Sequence, residues 1–349
     1  MKSIKDSKLY FLARKEYYRT VVKIIRGIDP TFKQNYIGTN GAVSFRYCYS
    51  VFMRHIVHLF KSGMLKIPNR VAEFGPGSSL GTGLCAILAG AKEYYAFDLV
   101  ECADNKSNLE VFDGLTALFK AKAPIPDNRE FPEVRPLLDD YSFPSHIFDD
   151  NVLRENLSNE RVDLIVKTLT EGKNVSDNII IKYIVPWENY SGIYPEVDLI
   201  FSQAVLEHVD NLERFYTVMY NILAPGGFIS HDIDFRSHGE TYEWNGHWAI
   251  SDKKWKKIRG GRPYIINREP LSTHLQLFEK NGFQIKVKIP SLGSNERGSS
   301  IRRKKLAGKY IHLSEQDFET SSCYIIAQKT DSESAHSKQL KSEDVGLTG

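Results

Sequence analysis

The chain has 349 residues and a mass of 39.9 kDa, enough to bury a large core as one enlarged domain or two. Its net charge of +3 falls short of the electrostatic footprint of a dedicated nucleic-acid binder, so nucleic acid is not an expected partner. Four cysteines (Cys48, Cys85, Cys102 and Cys323) show no CxxC spacing, which excludes a zinc ribbon or disulfide frame and fits a reducing compartment.

Lys2, Lys5, Asp6 and Lys8 interrupt any apolar run at the start, so no signal peptide is read and a cytoplasmic location is expected. Residues 1–66 read as an N-terminal helical cap. Tyr17, Tyr18, Val21, Val22 and Ile25 fall at helical spacing among basic residues, and Phe45, Tyr49, Phe52, Ile56 and Phe60 repeat that spacing after Asn40-Gly41. The basic, aromatic first pattern leaves peripheral membrane contact open. No transmembrane span is read, because the one long uncharged run, 74–91, contains five glycines and a proline.

From Arg70 the pattern changes to strand–helix alternation, which predicts an α/β main domain over 67–329 with a mostly parallel sheet. Strands are expected at 70–75, 93–98, 178–185, 197–203, 227–234, 283–289 and 322–328, seven in all. Helices are expected at 79–89, 103–121, 209–223 and 271–281, the last ended by Asn281-Gly282. Two stretches are too long for simple connections and read as insertions. Residues 122–177 open on Ala123-Pro124-Ile125-Pro126 and hold a helix from Arg154 to Thr170, while 236–270 carry Trp244, Trp248 and Trp255. Residues 330–349 are polar and charged and read as a disordered tail.

The first strand ends in chemistry: Val71-Ala72-Glu73-Phe74-Gly75-Pro76-Gly77-Ser78-Ser79. In a parallel sheet this strand–turn–helix corner presents backbone N–H groups to a nucleotide-like ligand, and Gly75 and Gly77 permit its close approach. A dinucleotide fingerprint would put glycine where Leu80 stands, and Glu73 would repel a pyrophosphate. S-adenosyl-L-methionine has no phosphate, and its ammonium and sulfonium groups tolerate the carboxylate. The segment resembles the first motif of class I S-adenosylmethionine-dependent methyltransferases. That resemblance implies a Rossmann-like sheet, with Glu73, Gly75, Gly77 and Ser79 along the methionine half of the cofactor.

Asp98 ends the second strand 21 positions after Gly77, close to the spacing of about 20 at which doubly wound folds place a ribose-binding acid; Leu99 follows it. The block Val197-Asp198-Leu199-Ile200-Phe201-Ser202-Gln203-Ala204-Val205-Leu206-Glu207-His208-Val209, with Leu223-Ala224-Pro225-Gly226-Gly227 beyond it, resembles the D-L-I-x-S-x-x-V-L-E-H-V and L-x-P-G-G run of small-molecule class I methyltransferases. By that resemblance Ser202 and Gln203 lie beneath the methionine portion. Glu207 and His208 read as structural, since neighbouring side chains on a helix diverge. Trp187, after the third strand, is a candidate wall for the adenine.

Methyl transfer to a hydroxyl requires alignment and removal of a proton. The fifth strand delivers His231, Asp232, Asp234 and His238 toward one end, so His231 or His238 is the expected base and Asp234 its orienting carboxylate. By strand alternation His231 shares a face with Ile229 and Ile233, so a core role competes with catalysis. A divalent ion on Asp232, Asp234 and a histidine is a weaker alternative, and no metal is assigned. The 231–238 run, the tryptophan-bearing insertion and Phe278-Glu279-Lys280-Asn281-Gly282-Phe283 are similar to methyltransferases associated with bacterial surface-polysaccharide synthesis. The resemblance implies a glycan or other small-molecule acceptor, and the tryptophans would suit stacking on sugar rings as well as packing. Methylation of nucleic acid or protein, and a non-catalytic scaffold, stay open as alternatives; the oligomeric state is left unread.

Overall fold

In the computed structural model, which describes residues 13, 44–172, 176, 178–189, 195–293 and 299–330, seven strands form a single sheet. They are β1 (Arg70–Phe74), β2 (Glu93–Phe97), β3 (Ile180–Ile184), β4 (Val197–Gln203), β5 (Leu223–Asp234), β6 (Phe283–Leu292) and β7 (Thr320–Lys329). Their order is β3-β2-β1-β4-β5-β7-β6. The first five pair in parallel, and β7 runs antiparallel between β5 and β6. This is the Rossmann-like, mostly parallel architecture expected from the strand–helix alternation. β5 starts four residues earlier than predicted, because Leu223 already pairs with Val197 ahead of an irregularity in the ladder.

Strand alternation sends successive side chains to two separate apolar layers. Val71, Leu199, Phe201 and Phe228 join one core with α1 (Phe45–Lys61), α2 (Gly81–Ala89) and α3 (Asn105–Lys120). Ala72, Phe74, Ile200, Ile229 and Ile233 join the other, with α6 (Leu212–Ile222) and α8 (Leu271–Lys280). Ser44 opens α1 by accepting the Tyr47 N–H. From the predicted stripe, Tyr49, Phe52 and Ile56 are buried in the same core as α2 and α3. The Tyr17–Ile25 pattern and residues 331–349 lie outside the described residues. Among the described residues, no helix is long and apolar enough to cross a membrane.

The first insertion departs from expectation. The single helix read from Arg154 to Thr170 is two, α4 (Asp150–Asn156) and α5 (Asn159–Glu171). The break comes at Ser158, whose hydroxyl accepts the Arg161 N–H and starts a new helix. The stretch before α4 is anchored by Arg54, which is completely buried on α1. Its guanidinium donates to the carbonyls of Val134 (2.6 Å), Pro126 (3.0 Å) and Pro136 (3.4 Å), and to Ser50 Oγ (3.0 Å). Tyr141 covers it, its ring centroid 5.3 Å away. One side chain therefore satisfies backbone acceptors that a loop against a helix would otherwise bury unpaired.

Arg54→Met keeps much of the volume but leaves these carbonyls without donors. Thermal or urea unfolding should show a loss of roughly 2–4 kcal/mol. Wild-type stability in that variant would show that the insertion is held by other contacts.

Candidate functional site

At the carboxyl end of β1 the backbone turns through Gly75 (φ +67°) and Gly77 (φ +76°). The Gly75 N–H donates to Phe97 O at 2.8 Å, extending the β1–β2 ladder into the turn. A Cβ on Gly75 would fall 2.5 Å from Val205 Cγ2, so both conformation and space demand glycine. Gly83, one turn into α2, has a different task. A Cβ there would lie 1.9 Å from the Tyr94 ring, so its absence lets α2 and Tyr94 meet.

Through that contact the Tyr94 hydroxyl donates to Glu73 Oε2 at 2.5 Å, and the Gly83 N–H donates to the same oxygen at 3.1 Å. Glu73 is only 4% exposed. Burial pushes its carboxyl up to about 8, against the lowering effect of these two donors. Asp98, at the end of β2, accepts the Leu99 N–H at 2.7 Å. Burial raises it to about 6, opposed by backbone N–H groups of Leu99, Val100 and Gly77. Ser79 is buried in the turn and accepts the Gly81 N–H at 3.2 Å. The fold thus gathers Glu73, Gly75, Gly77, Ser79, Asp98 and Leu99 around the ends of β1 and β2.

Gln203, at the end of adjacent β4, sits in a network that the sequence reading missed. Its Nε2 donates to Asp232 Oδ2 at 2.8 Å, and its Oε1 meets His55 Nε2 at 3.1 Å. An amide oxygen only accepts, so His55 carries its proton on Nε2 and Nδ1 accepts from Ser230 Oγ at 2.7 Å. The Tyr324 hydroxyl lies 2.7 Å from Ser230 Oγ and completes the chain. Burial pushes His55 down to about 4 and, with the Asp234 charge, raises Asp232 to about 7. His55 had no sequence signal beyond a polar residue among the apolar positions of α1.

The candidate catalytic residues do not come together as a set. His231 is completely buried on the opposite face of the sheet, with Nδ1 2.8 Å from Ser202 Oγ. Burial, helped by His55 and His274, lowers it to about 3. The pairing also draws Ser202 to that face, away from Gln203. Strand parity separates His231 from Asp232 and Asp234 and gives it the core position that its shared face with Ile229 and Ile233 allowed. Trp187 is likewise packed, edge-on to Phe74 and Phe215.

Asp234 and His238 do meet: His238 Nε2 is 3.1 Å from Asp234 Oδ2. Arg236 grips the same carboxylate, its Nη2 2.7 Å from Oδ2. Burial would raise Asp234, but hydrogen bonds and charges from His238 and Arg236 hold it well below the usual carboxylate range. Glu207 and His208, set aside as structural in the sequence, come from the 3-10 turn after β4 to this same place. Glu207 Oε1 lies 3.7 Å from His238 Nε2, and the rings of His208 and His238 meet edge-on at 4.9 Å. Burial, with Asp234 beside it, raises the Glu207 carboxyl well above its ordinary value.

Trp244, Trp248 and Trp255 are all buried. Trp244 Nε1 donates to Ser300 Oγ, Trp248 Nε1 donates to Arg268 O, and Trp255 stacks on the Arg268 guanidinium at 4.7 Å. They form the interior of the second insertion and not an exposed platform for sugar rings.

Residues 193–230 match the family model described as a methyltransferase domain. No curated protein matches the chain. Among solved structures, it is similar to an S-adenosylmethionine-dependent methyltransferase from Mesorhizobium loti at 12% identity and a TM-score of 0.37, covering 78% of this chain and 96% of that one. It is also similar to the Haemonchus contortus phosphoethanolamine N-methyltransferase 2 solved with S-adenosylhomocysteine, at 15% identity and a TM-score of 0.41, covering 95% and 61%. These likenesses are too distant to transfer a residue's role or an acceptor.

Glu73 gives a pH test. Its carboxyl titrates near 4.5 in the unfolded chain and about 8 in the fold. The folded state therefore holds the extra proton, and this group's contribution to stability is complete below about pH 4.5 and lost as pH rises through about 8. Glu73→Gln should unfold with a flatter pH dependence, gaining on the wild type as pH rises from about 5 to about 8. Parallel melting curves across that window would show that the carboxyl is not held protonated.

Proposed function

We propose that this chain uses S-adenosyl-L-methionine, whose sulfonium supplies an electrophilic methyl group, to methylate a hydroxyl of a glycan or another small molecule. The observation that carries this reading is the corner formed by Glu73, Gly75, Gly77 and Asp98. Two partly desolvated carboxyls flank a turn whose glycines leave room for a ligand. A ligand with an ammonium, a sulfonium and a ribose has a partner at each end: the methionine half beside Glu73 and Gly75, the ribose at Asp98. Gln203, fixed by Asp232 and His55, borders the methionine half from β4.

His238, on the loop beyond β5, is the group we assign to the acceptor's proton. Asp234 orients its ring and stabilises the imidazolium, while Arg236 keeps that carboxylate ionised. His231 takes no part, because its ring is sealed against Ser202. The resemblance to surface-polysaccharide methyltransferases supports the glycan class and a cytoplasmic setting.

Incubation with methyl-labelled S-adenosylmethionine and fractionated cell material should place label in glycan or small hydroxylated compounds. Label in RNA or protein would overturn the acceptor, and absence of cofactor binding by calorimetry would overturn the enzyme reading. His238→Ala should lower kcat by about 10²–10⁴-fold while cofactor affinity stays near wild type. Full turnover in that variant would remove His238 from proton transfer.

A further inference from the structure

We propose that Glu207, His208 and His238 form a binding site for one divalent first-row transition cation at the ends of β4 and β5. The proposal relies on the methyltransferase reading only for what lies beside the ion; its binding stands on the cluster itself. One ligand atom from each of the three residues lies within 4.8 Å of the other two. An ion bound at about 2.0–2.2 Å keeps neighbouring ligands within about 4 Å, so a contraction of about 1 Å would close the shell.

The independent observation is Glu207. It is 3% exposed, and neither carboxylate oxygen has a hydrogen-bond partner. The backbone N–H groups of Glu207 and Asp234 stand close enough to lower its carboxyl, yet they do not offset the effect of burial. His208 Nδ1, on the next residue, is buried and equally unpartnered. A buried carboxylate and a buried ring nitrogen left without partners are costly, and a shared cation would satisfy both.

The surrounding charges do not supply a substitute. Arg236 is committed to Asp234 and Glu133, and Arg268 to Asp252 between the rings of Trp255 and Tyr310. Asp234 Oδ2 lies 3.1 Å from His238 Nε2, the same nitrogen that faces Glu207 Oε1 at 3.7 Å, so this carboxylate stands beside the proposed ligands and adds negative charge there.

Two imidazoles and one carboxylate favour Zn²⁺, Co²⁺ or Mn²⁺ over Mg²⁺ and Ca²⁺, which prefer oxygen donors. Three protein ligands would leave a fourth position for water or another oxygen donor. With the ion in place, His238 serves as a ligand and not as a proton acceptor.

Chelator-stripped protein titrated with Zn²⁺ in a calorimeter should take up one equivalent, with no comparable uptake of Mg²⁺. Glu207→Gln and His238→Asn should each weaken Zn²⁺ binding by at least about tenfold. His238 opens to solvent, with 27% of its side chain exposed, so its variant decides the matter if Glu207→Gln fails to fold. Cofactor affinity, measured in parallel, reports separately on the methyltransferase reading. The proposal is overturned if the wild type takes up no Zn²⁺, or if His238→Asn binds it as tightly as the wild type.

Discussion

The hydrogen bond from Tyr94 to Glu73 depends on something that is missing: a side chain at position 83. Because Gly83 has no Cβ, α2 can lie against the ring of Tyr94, and the hydroxyl reaches the carboxyl at the end of the neighbouring strand. The start of α2, the end of β1 and the middle of β2 are thereby fixed relative to one another. The turn through Gly75 and Gly77 is suspended between these points, and Asp98 closes it from the far side. A buried carboxyl normally weakens a fold, yet this one serves as the peg that joins α2, β1 and β2.

The ends of β4 and β5 are governed by the two-residue period of strands. Gln203 and Asp232 belong to one face, and Ser202 and His231 to the other. Only where β5 ends and the chain turns through His238, at φ +47°, does the separation lapse. There Asp234, His238 and the turn carrying Glu207 and His208 converge. A polar cluster at the edge of the sheet can keep contact with solvent and ligand, whereas His231, a few residues earlier, is shut in.

Much of the architecture was legible because it rests on local signals. Apolar runs bounded by Gly75, Asp98 and Gly282 marked strands and helices close to their observed limits. What escaped was set by tertiary contact. The break at Ser158 depends on a hydroxyl finding the Arg161 N–H inside an otherwise helical pattern. The tryptophans of the second insertion suited sugar stacking and packing equally in the sequence, and only the Arg268 carbonyl and Ser300, reached through the fold, decide for packing. Glu207 and His208 were judged as neighbours on a helix, but a short turn directs both at a residue thirty positions away. His55 offered only its polarity, since its partners come from β4 and β5.

α1 carries consecutive residues with unrelated obligations. Arg54 ties down the polypeptide between α3 and α4, and His55 braces Gln203 at the end of β4. The two side chains share one rigid stretch of backbone, so neither task can be altered in isolation. Trimming the inserted segment would release Arg54 from its carbonyls and leave a naked guanidinium one peptide bond from the brace. Any attempt to shorten this protein, or to graft that segment onto another scaffold, must treat helix and insertion as one inheritable piece.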